Sequence, residues 1–206
     1  MEQKTFALKG NIIYTKERTR FEVMEQGWLV CEEGRVRDVY SVLPEELKGI
    51  PVEDMEDRLI IPGLTDLHIH APQYTFRSLG MDMELLEWLE TNTFPEESKY
   101  KDAEYAKKAY EMFAEQLKKS ATVRACIFGT IHNEATLILM DLLEEAGLHT
   151  MVGKVNMDRN SPDYLRELSA EESEEATREW LKMAADKNYD HTRPILTPRF
   201  IPSCTN

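Results

Sequence analysis

From residue 59 onward, short apolar segments alternate with amphipathic segments, and this alternation constrains the fold more than any other feature of the sequence. Four apolar segments have the composition of strands buried on both faces: about 60–69, 122–131, 149–157 and 193–200. Between them, apolar residues recur at helical spacing, as over Asp102 to Lys119. Alternation of this kind predicts a parallel sheet with helices outside it.

Polar residues and a glycine mark the ends of the predicted helices. Asn133 is expected to cap a helix that runs to about Leu143–Ala146, with Gly147 just past its end. Ser169-Ala170-Glu171-Glu172 matches a capping box, in which two side chains satisfy free backbone N–H groups at a helix start. These signals place helices between the predicted strands.

Residues 4–60 have a different pattern, with short apolar segments separated by turns. Gly27-Trp28-Leu29-Val30-Cys31 is typical of a strand. Glu33-Gly34 follows it as a predicted hairpin turn, because glycine accepts positive φ at no steric cost. We interpret residues 1–58 as part of an amino-terminal β-sandwich and residues 59–206 as a second domain.

The net charge of −13 limits the partners expected for this chain. Nucleic-acid backbones and anionic membranes repel an acidic surface, so we expect neither as a partner. Cys31, Cys126 and Cys204 are few and widely spaced, which is typical of free thiols in a reducing compartment. The sequence has no signal-peptide core and no apolar run as long as a membrane span, so we expect a cytoplasmic protein.

His68 and His70 stand two residues apart at the end of an apolar strand. Side chains at i and i+2 of a strand share a face, so two imidazoles placed in this way can reach one metal ion. Asp66 is expected on the same face, one step earlier. Leu67 and Ile69 are expected to point the other way, towards the helix layer.

An isolated pair of this kind is more often coincidental than metal-binding, but its context favours a metal site. The pair follows a Pro62-Gly63 turn and precedes Ala71-Pro72-Gln73, which we expect to form a loop at the carboxyl end of the strand. In β/α barrels, the carboxyl ends of the strands carry the active site.

Short strings along the second predicted domain occur in a distinctive order. They are Pro62-Gly63-Leu64-Thr65-Asp66-Leu67-His68-Ile69-His70, His70-Ala71-Pro72-Gln73-Tyr74, Leu85-Leu86-Glu87-Trp88-Leu89, Thr93-Phe94-Pro95, Thr130-Ile131-His132, Val152-Gly153-Lys154-Val155-Asn156-Met157-Asp158 and Thr197-Pro198-Arg199-Phe200. The first resembles the first barrel strand of the amidohydrolase superfamily. Together, the later strings resemble the guanine deaminases of that superfamily, over nearly the whole chain.

This resemblance implies the fold, the reaction and the cofactor. The expected fold is α/β, the first half of a (β/α)₈ barrel with about four strands, preceded by the small β-rich segment. The implied reaction is hydrolytic deamination of guanine to xanthine and ammonia by a zinc-activated water, which attacks C2 of the purine. One zinc ion per subunit and a homodimer are also implied.

The resemblance further implies the residues of the site. His68 and His70 would be zinc ligands. Gln73 and Arg199 would recognise the base, because glutamine offers a donor and an acceptor whereas arginine offers only donors. The residues implied to bind the substrate are His70, Ala71, Pro72, Gln73, Leu86, Trp88, Arg199 and Phe200.

Several of these residues have an ordinary structural alternative on sequence alone. On sequence alone, Leu86, Trp88 and Phe200 are more often core residues than site residues. Arg199 is equally consistent with a solvated or ion-paired arginine. His132 is interpreted as a hydrogen-bonding neighbour of the site rather than a ligand, and Lys154 as an unmodified lysine, so that one metal is expected.

Residues 59–206 are fewer than the roughly 250 that a (β/α)₈ barrel takes. A third histidine ligand, an aspartate ligand and the catalytic glutamate of the family are expected beyond Asn206, so this chain alone offers no catalytic residue and an incomplete zinc site. We therefore expect the 206 residues to be inactive alone, as part of a longer guanine deaminase. The alternatives are an inactive half barrel that acts as a binding module, and a deaminase of another purine or a pterin.

Overall fold

The computed structural model describes residues 5–205, which divide into two compact units at Pro62 and Gly63. We call residues 5–62 the amino-terminal unit and residues 63–205 the carboxyl-terminal unit. Met1 to Lys4 and Asn206, which the two predicted domains include, lie outside the described residues.

The amino-terminal unit is one four-stranded sheet. Its strands are β1 (Phe6–Glu17), β2 (Arg20–Glu32), β3 (Arg35–Tyr40) and β4 (Val52–Ile60), in the order β3-β2-β1-β4. β2 is antiparallel to both β1 and β3, and β4 is parallel to β1. A β-sandwich needs a second sheet facing this one, so the assignment of this unit to a sandwich stays a prediction.

The predicted hairpin turn at Glu33-Gly34 is confirmed between β2 and β3. Both residues have positive φ, 52° and 71°, as the tight turns that match strand twist require. The core of this unit is small. Its buried apolar members are Ala7, Val30 and Leu47.

The carboxyl-terminal unit contains a parallel sheet whose strands are joined by helices. Its strands are β5 (Leu64–His70), β6 (Thr122–Phe128), β7 (His149–Gly153) and β9 (Thr192–Pro194), in the order β5-β6-β7-β9, so β5 and β9 form its two edges. All three pairings are parallel. β8 (Val155–Asn156) and β10 (Thr197–Pro198) form a short parallel pair beyond β7 and β9. The predicted α/β fold with four barrel-type strands is confirmed.

Helical segments fill the connections between these strands. In chain order they are α1 (Leu85–Trp88), a π-helical turn (Leu89–Thr93), α2 (Phe94–Ser98), α3 (Ala103–Lys118), α4 (Asn133–Glu145) and α5 (Ala170–Asp186). Helices α3, α4 and α5 bury Phe113, Leu139 and Trp180 in one continuous core with Ile127 and Val152 of the sheet. None of the helices within residues 5–205 combines the length and the hydropathy that crossing a membrane requires.

Two predicted strands are shorter and interrupted. The segment predicted over 193–200 pairs only as β9 and β10, because Pro194 and Pro198 have no N–H to donate to a neighbouring strand. The segment predicted over 149–157 breaks at Lys154 into β7 and β8. The predicted first strand begins later than expected, at Leu64, because residues up to Ile60 complete β4.

The helix caps agree with prediction at two ends and differ at one. The Ser169 hydroxyl accepts a hydrogen bond from the backbone N–H of Glu172 at 3.2 Å, and Gly147 has φ +72° just past α4. The prediction that Asn133 caps α4 is wrong. Asn133 is the first helical residue, and its side-chain amide instead donates to the carbonyl of Ala176 at 2.9 Å, which ties α4 to α5.

Candidate active site

His68 and His70 lie at the carboxyl end of β5, with their rings on the same face of the strand. Their Nε2 atoms are 3.2 Å apart. The ring of Phe128, at the end of β6, stacks on His70 with a centroid distance of 4.5 Å and an interplanar angle of 21°. The two imidazoles therefore converge on one point, and an aromatic neighbour restricts their orientation.

The spacing of the two imidazoles fits a shared metal ion. Two nitrogen ligands at about 2.0–2.1 Å from a tetrahedral zinc are roughly 3.3 Å apart, close to the 3.2 Å between these Nε2 atoms. Within residues 5–205, no group of three or more His, Cys, Asp or Glu side chains is arranged to hold a metal. The described residues thus offer two predicted ligands, whereas a catalytic zinc usually has three protein ligands.

The environment of His70 keeps its ring neutral. The pKa of His70 is lowered from 6.5 to about 3, mainly by burial, with smaller contributions in the same direction from the positive charge of Arg199 and from the neighbouring His68. The neutral imidazole is the form that coordinates a metal, because the protonated ring has no free lone pair. His70 is therefore ready to act as a ligand at neutral pH.

The rest of β5 follows the predicted alternation only in part. A carboxylate oxygen of Asp66 accepts a hydrogen bond from the backbone N–H of His68 at 3.0 Å, which braces the strand just before the pair. Ile69 packs against the core as expected. Leu67 does not pack under the helix layer, because its side chain is 73% exposed.

A cleft of about 730 Å³ opens beside the two histidines. Most of its lining is aromatic and aliphatic, as in sites that take a flat organic ligand. The predicted site residues that line it are His68, His70, Gln73, Trp88, Arg199 and Phe200. The structure therefore brings together residues from β5, from the following loop, from α1 and from the segment after β10.

Ala71 and Pro72 lie under this cleft rather than on its surface. Both are buried in the 3₁₀ turn Ala71–Phe76, which directly follows β5. The carbonyl of Pro72 accepts hydrogen bonds from the hydroxyls of Thr75 and Tyr100, each at 3.2 Å. Ala71 and Pro72 therefore anchor the turn that carries Gln73.

The structure separates Leu86 from Trp88. Trp88 lines the cleft, and its indole N–H donates to the carbonyl of Leu79 at 3.0 Å. Leu86 is 68% exposed and lines a neighbouring cleft with Pro162 and Tyr164. Residues two apart on a helix face different directions, so a shared apolar string does not place both on one wall.

Arg199 is held by a buried ion pair, the alternative that the sequence left open. Its Nη1 donates to Oε2 of Glu97 at 2.5 Å, and the two side chains are 4% and 1% exposed. Its guanidinium also lies over the ring of Phe94, 5.6 Å from the centroid. Burial raises the pKa of Glu97, whereas Arg199 and the amide of Gln73 act in the opposite direction.

Glu97 was not identified from the sequence. In the sequence it is the second of two adjacent glutamates, a pattern usual for a solvated helix start. The only sequence signal is its position three residues after Phe94, on the same face of a short helix. The preceding π-helical turn determines which face of α2 meets Arg199, and nothing in the sequence announces that turn.

His132 and Lys154 lie near the same ends of the strands but do not line the cleft. Burial lowers the pKa of His132 from 6.5 to about 4, with smaller effects of Lys101 and Lys154. The ammonium of Lys154 is buried in an ion pair with Glu167 and also donates to the carbonyl of Val155 at 3.0 Å. This arrangement occupies Lys154 with structural contacts, and the interpretation of an unmodified lysine stays a prediction.

Comparison with known proteins identifies relatives of this chain. A family model described as the amidohydrolase family matches residues 59–206. Guanine deaminase from Dictyostelium discoideum is 34% identical over 96% of this chain and 48% of its own length. Guanine deaminase from Escherichia coli K12 is 34% identical over 87% of this chain and 41% of its own length.

A solved structure of guanine deaminase from C. acetobutylicum, with guanine bound in its active site, superposes with a TM-score of 0.90. It is 43% identical, and the match covers 98% of this chain and 48% of that chain. The chain thus spans about half the length of the relatives that it matches.

Proposed function

The chain belongs to the amidohydrolase family, and from this premise we propose that it takes part in the hydrolytic deamination of guanine. In this reaction, one water and one guanine give xanthine and ammonia, and the C2–N bond to the amino group is broken. The observation that carries the proposal is the convergence of His68, His70, Gln73, Arg199 and Phe200 on one cleft. The support from relatives is the guanine held by the structurally similar enzyme.

The proposed roles in base recognition follow from the chemistry of the side chains. Arg199 donates hydrogen bonds to the carbonyl or a ring nitrogen of guanine, for which a donor-only group is suited. Gln73 offers both an amide N–H and a carbonyl to the edge of the purine. Phe200 covers the face of the ring, and Trp88 adds apolar wall that excludes water.

We propose zinc as the metal, with His68 and His70 as two of its ligands. Zinc supplies Lewis-acid activation of water near neutral pH when it is bound in such a site. The neutral state of His70 and the 3.2 Å spacing of the two Nε2 atoms support this assignment. His68 and His70 line the cleft, so a metal held by them would lie beside the bound base.

The site needs groups that residues 5–205 do not bring to the cleft. A third protein ligand is required by the usual coordination of catalytic zinc. A general acid and base is required to move protons from the water to the leaving ammonia. We propose that other residues of a longer enzyme supply both, so that the 206-residue chain alone is inactive.

The test compares the 206-residue chain with the full length that its gene encodes. Guanine loss is followed in the ultraviolet, and zinc per subunit is measured by elemental analysis. We expect turnover and one zinc only in the longer protein. Stoichiometric zinc with turnover in the 206-residue chain would refute the incompleteness of its site.

Two further measurements test the substrate and the ligands. A panel of guanine, adenine and pterins distinguishes guanine deamination from the deamination of another purine or pterin. His68→Ala in the longer protein is expected to lose zinc and activity together. Normal activity in that variant would overturn the metal assignment, and the absence of turnover on every substrate would favour a binding module.

A homodimer and a cytoplasmic location are also proposed. The homodimer rests on the resemblance to guanine deaminases, and sedimentation of the purified protein tests it. The cytoplasmic location is supported by the free thiols of Cys31, Cys126 and Cys204. The net charge of −13 supports the proposal that neither nucleic acid nor an anionic membrane is a partner.

A further inference from the structure

We propose that Glu97 is a positioning residue that holds the Arg199 guanidinium in the orientation needed to recognise a purine carbonyl. The inference rests on the proposed function, because it assigns Arg199 to base recognition. It adds a residue that does not line the cleft and acts through one that does.

The contact between the two residues leaves the guanidinium little freedom. The 2.5 Å separation between Nη1 and Oε2 is that of a close charge-assisted hydrogen bond. Both side chains are almost fully buried, so water does not compete for the pair. An arginine on a segment without regular structure would otherwise sample many rotamers, and each would present different donors to a ligand.

A second contact from the same helix restricts the guanidinium from another side. Phe94 and Glu97 are three residues apart on α2, and both meet Arg199. The π-helical turn Leu89–Thr93 precedes this helix and determines which of its faces is presented. Such turns are rare and are frequent at functional sites. One short helix thus supplies both contacts that restrict the guanidinium.

The carboxylate of Glu97 also lies next to Gln73, the other polar side chain proposed to recognise the base. The Gln73 amide is close enough to lower the pKa of Glu97. The second carboxylate oxygen, Oε1, is buried and has no hydrogen-bond partner within residues 5–205. Glu97 therefore lies next to both side chains proposed to recognise the base, and its Oε1 can accept a hydrogen bond from the Gln73 amide.

Stability alone is a poor reason for this arrangement. A buried ion pair costs desolvation of two charges, and an apolar pair of similar size is often at least as stable. The pair is instead placed where a fixed positive group is useful, at the wall of the cleft. Glu96, its neighbour on α2, makes no hydrogen bond or ion pair with Arg199 within residues 5–205 and provides a matched control. Its carboxylate binds Lys99, Thr75 and Tyr105.

The experiment uses the protein in the full length that its gene encodes. Glu97→Gln keeps the shape of the side chain and removes its charge, and Glu96→Gln does the same one residue away. Misplacing a binding group by about 1 Å costs on the order of 100-fold, and we expect that loss in kcat/KM for guanine in Glu97→Gln, mainly through KM. 2-Aminopurine lacks the carbonyl, so kcat/KM for this substrate should fall far less in Glu97→Gln. In Glu96→Gln, the ratio of kcat/KM for guanine to kcat/KM for 2-aminopurine should stay at its wild-type value.

A readout without substrate accompanies the kinetics. The side-chain Nε–H signal of Arg199 in ¹⁵N spectra, assigned by its loss in Arg199→Lys, should stay sharp in Glu96→Gln and shift or broaden in Glu97→Gln. An unchanged signal with an unchanged substrate ratio would overturn the inference, and so would equal losses in the two variants. If the wild-type protein does not act on guanine, the proposed function fails, and the Arg199 signal still decides whether Glu97 positions it.

Discussion

The two units both contain a four-stranded sheet, yet only one of them carries the candidate site. In the amino-terminal unit, β1, β2 and β3 form successive hairpins, so the carboxyl ends of neighbouring strands lie at opposite ends of the sheet. In the carboxyl-terminal unit, all four main strands run the same way, so their carboxyl ends lie at the same end of the sheet. The proposed ligands and the residues proposed to bind the base lie near that end of the sheet.

The units also differ in how much apolar surface they bury. Within residues 5–62, the buried core cluster consists of Ala7, Val30 and Leu47, whereas helices and sheet bury a far larger cluster in the carboxyl-terminal unit. A second buried cluster of the carboxyl-terminal unit includes Phe94, which lies beside Arg199, and close-packed interiors of this kind resist local movement. Parallel strands bring the residues at their carboxyl ends to one end of the sheet, and the packed helices keep those residues in place.

The largest expected effect tests whether the chemistry is confined to the carboxyl-terminal unit. In the full-length protein, His70→Ala removes a proposed zinc ligand and should lower guanine turnover by more than the roughly 100-fold that loss of a ligand's supporting residue can cost. Zinc content should fall in parallel. Phe21→Ala changes an exposed residue of the other unit and should alter neither quantity. Loss of zinc in Phe21→Ala would break the comparison.

A pair of identical substitutions compares the two cores. Leu139 is fully buried in the large cluster, and Leu47 is 5% exposed in the small one. Large-to-small changes in cores cost about 2–5 kcal/mol, and more where neighbours cannot collapse into the cavity. We expect Leu139→Ala to lie near the upper end of that range and Leu47→Ala near the lower end, as measured by denaturant unfolding. Equal losses would show that core size does not separate the units.

Acid sensitivity should also separate the units, because all five histidines lie beyond residue 62. His132 is held neutral, with a pKa of about 4 against 6.5 in the unfolded chain. The unfolded state therefore binds more protons between these values, and stability falls as pH falls through that window. We expect His132→Asn to reduce the slope of unfolding free energy by up to about 1.4 kcal/mol per pH unit. An unchanged slope between pH 4 and 6.5 would contradict this.

The smallest effects concern local signals, one in each unit. Ser169→Ala removes the hydroxyl that caps α5 and should cost about 1 kcal/mol. Gly34→Ala forces a side chain into positive φ at a turn where the new Cβ meets no other atom within 4 Å, so a cost of about 1 kcal/mol is purely conformational. Thermal unfolding measures both, and a neutral result in either would show that the local signal is not needed.

Local signals made most of the fold predictable from the sequence. The cap at Ser169 and the turn at Glu33-Gly34 depend on neighbouring residues alone, and both are confirmed. The prediction that Asn133 caps α4 was wrong because a partner on another helix, the carbonyl of Ala176, accepts a hydrogen bond from its side chain. Distant partners of this kind are not visible in a local pattern.

The candidate site was predictable to the extent that it depends on strand geometry. His68 and His70 share a face because they are two apart on a strand, and their 3.2 Å spacing agrees with that expectation. Leu86 and Glu97 show what strand geometry does not predict, which is the direction of side chains on a short helical segment. The phase of a short, partly π-helical segment decides that Leu86 faces away from the cleft and that Glu97 faces Arg199. That phase is set by tertiary packing.

The position of β5 at the edge of its sheet links metal binding to assembly. Within residues 5–205, β5 is hydrogen-bonded to β6 and to no other strand. A strand held on one side twists and frays more readily than one held on both, and the separation of the two imidazoles changes with it. A strand that paired with the other side of β5 would therefore restrain the backbone that carries the two proposed ligands. Under the proposed zinc assignment, firm retention of the ion would therefore depend on completion of the sheet beside β5.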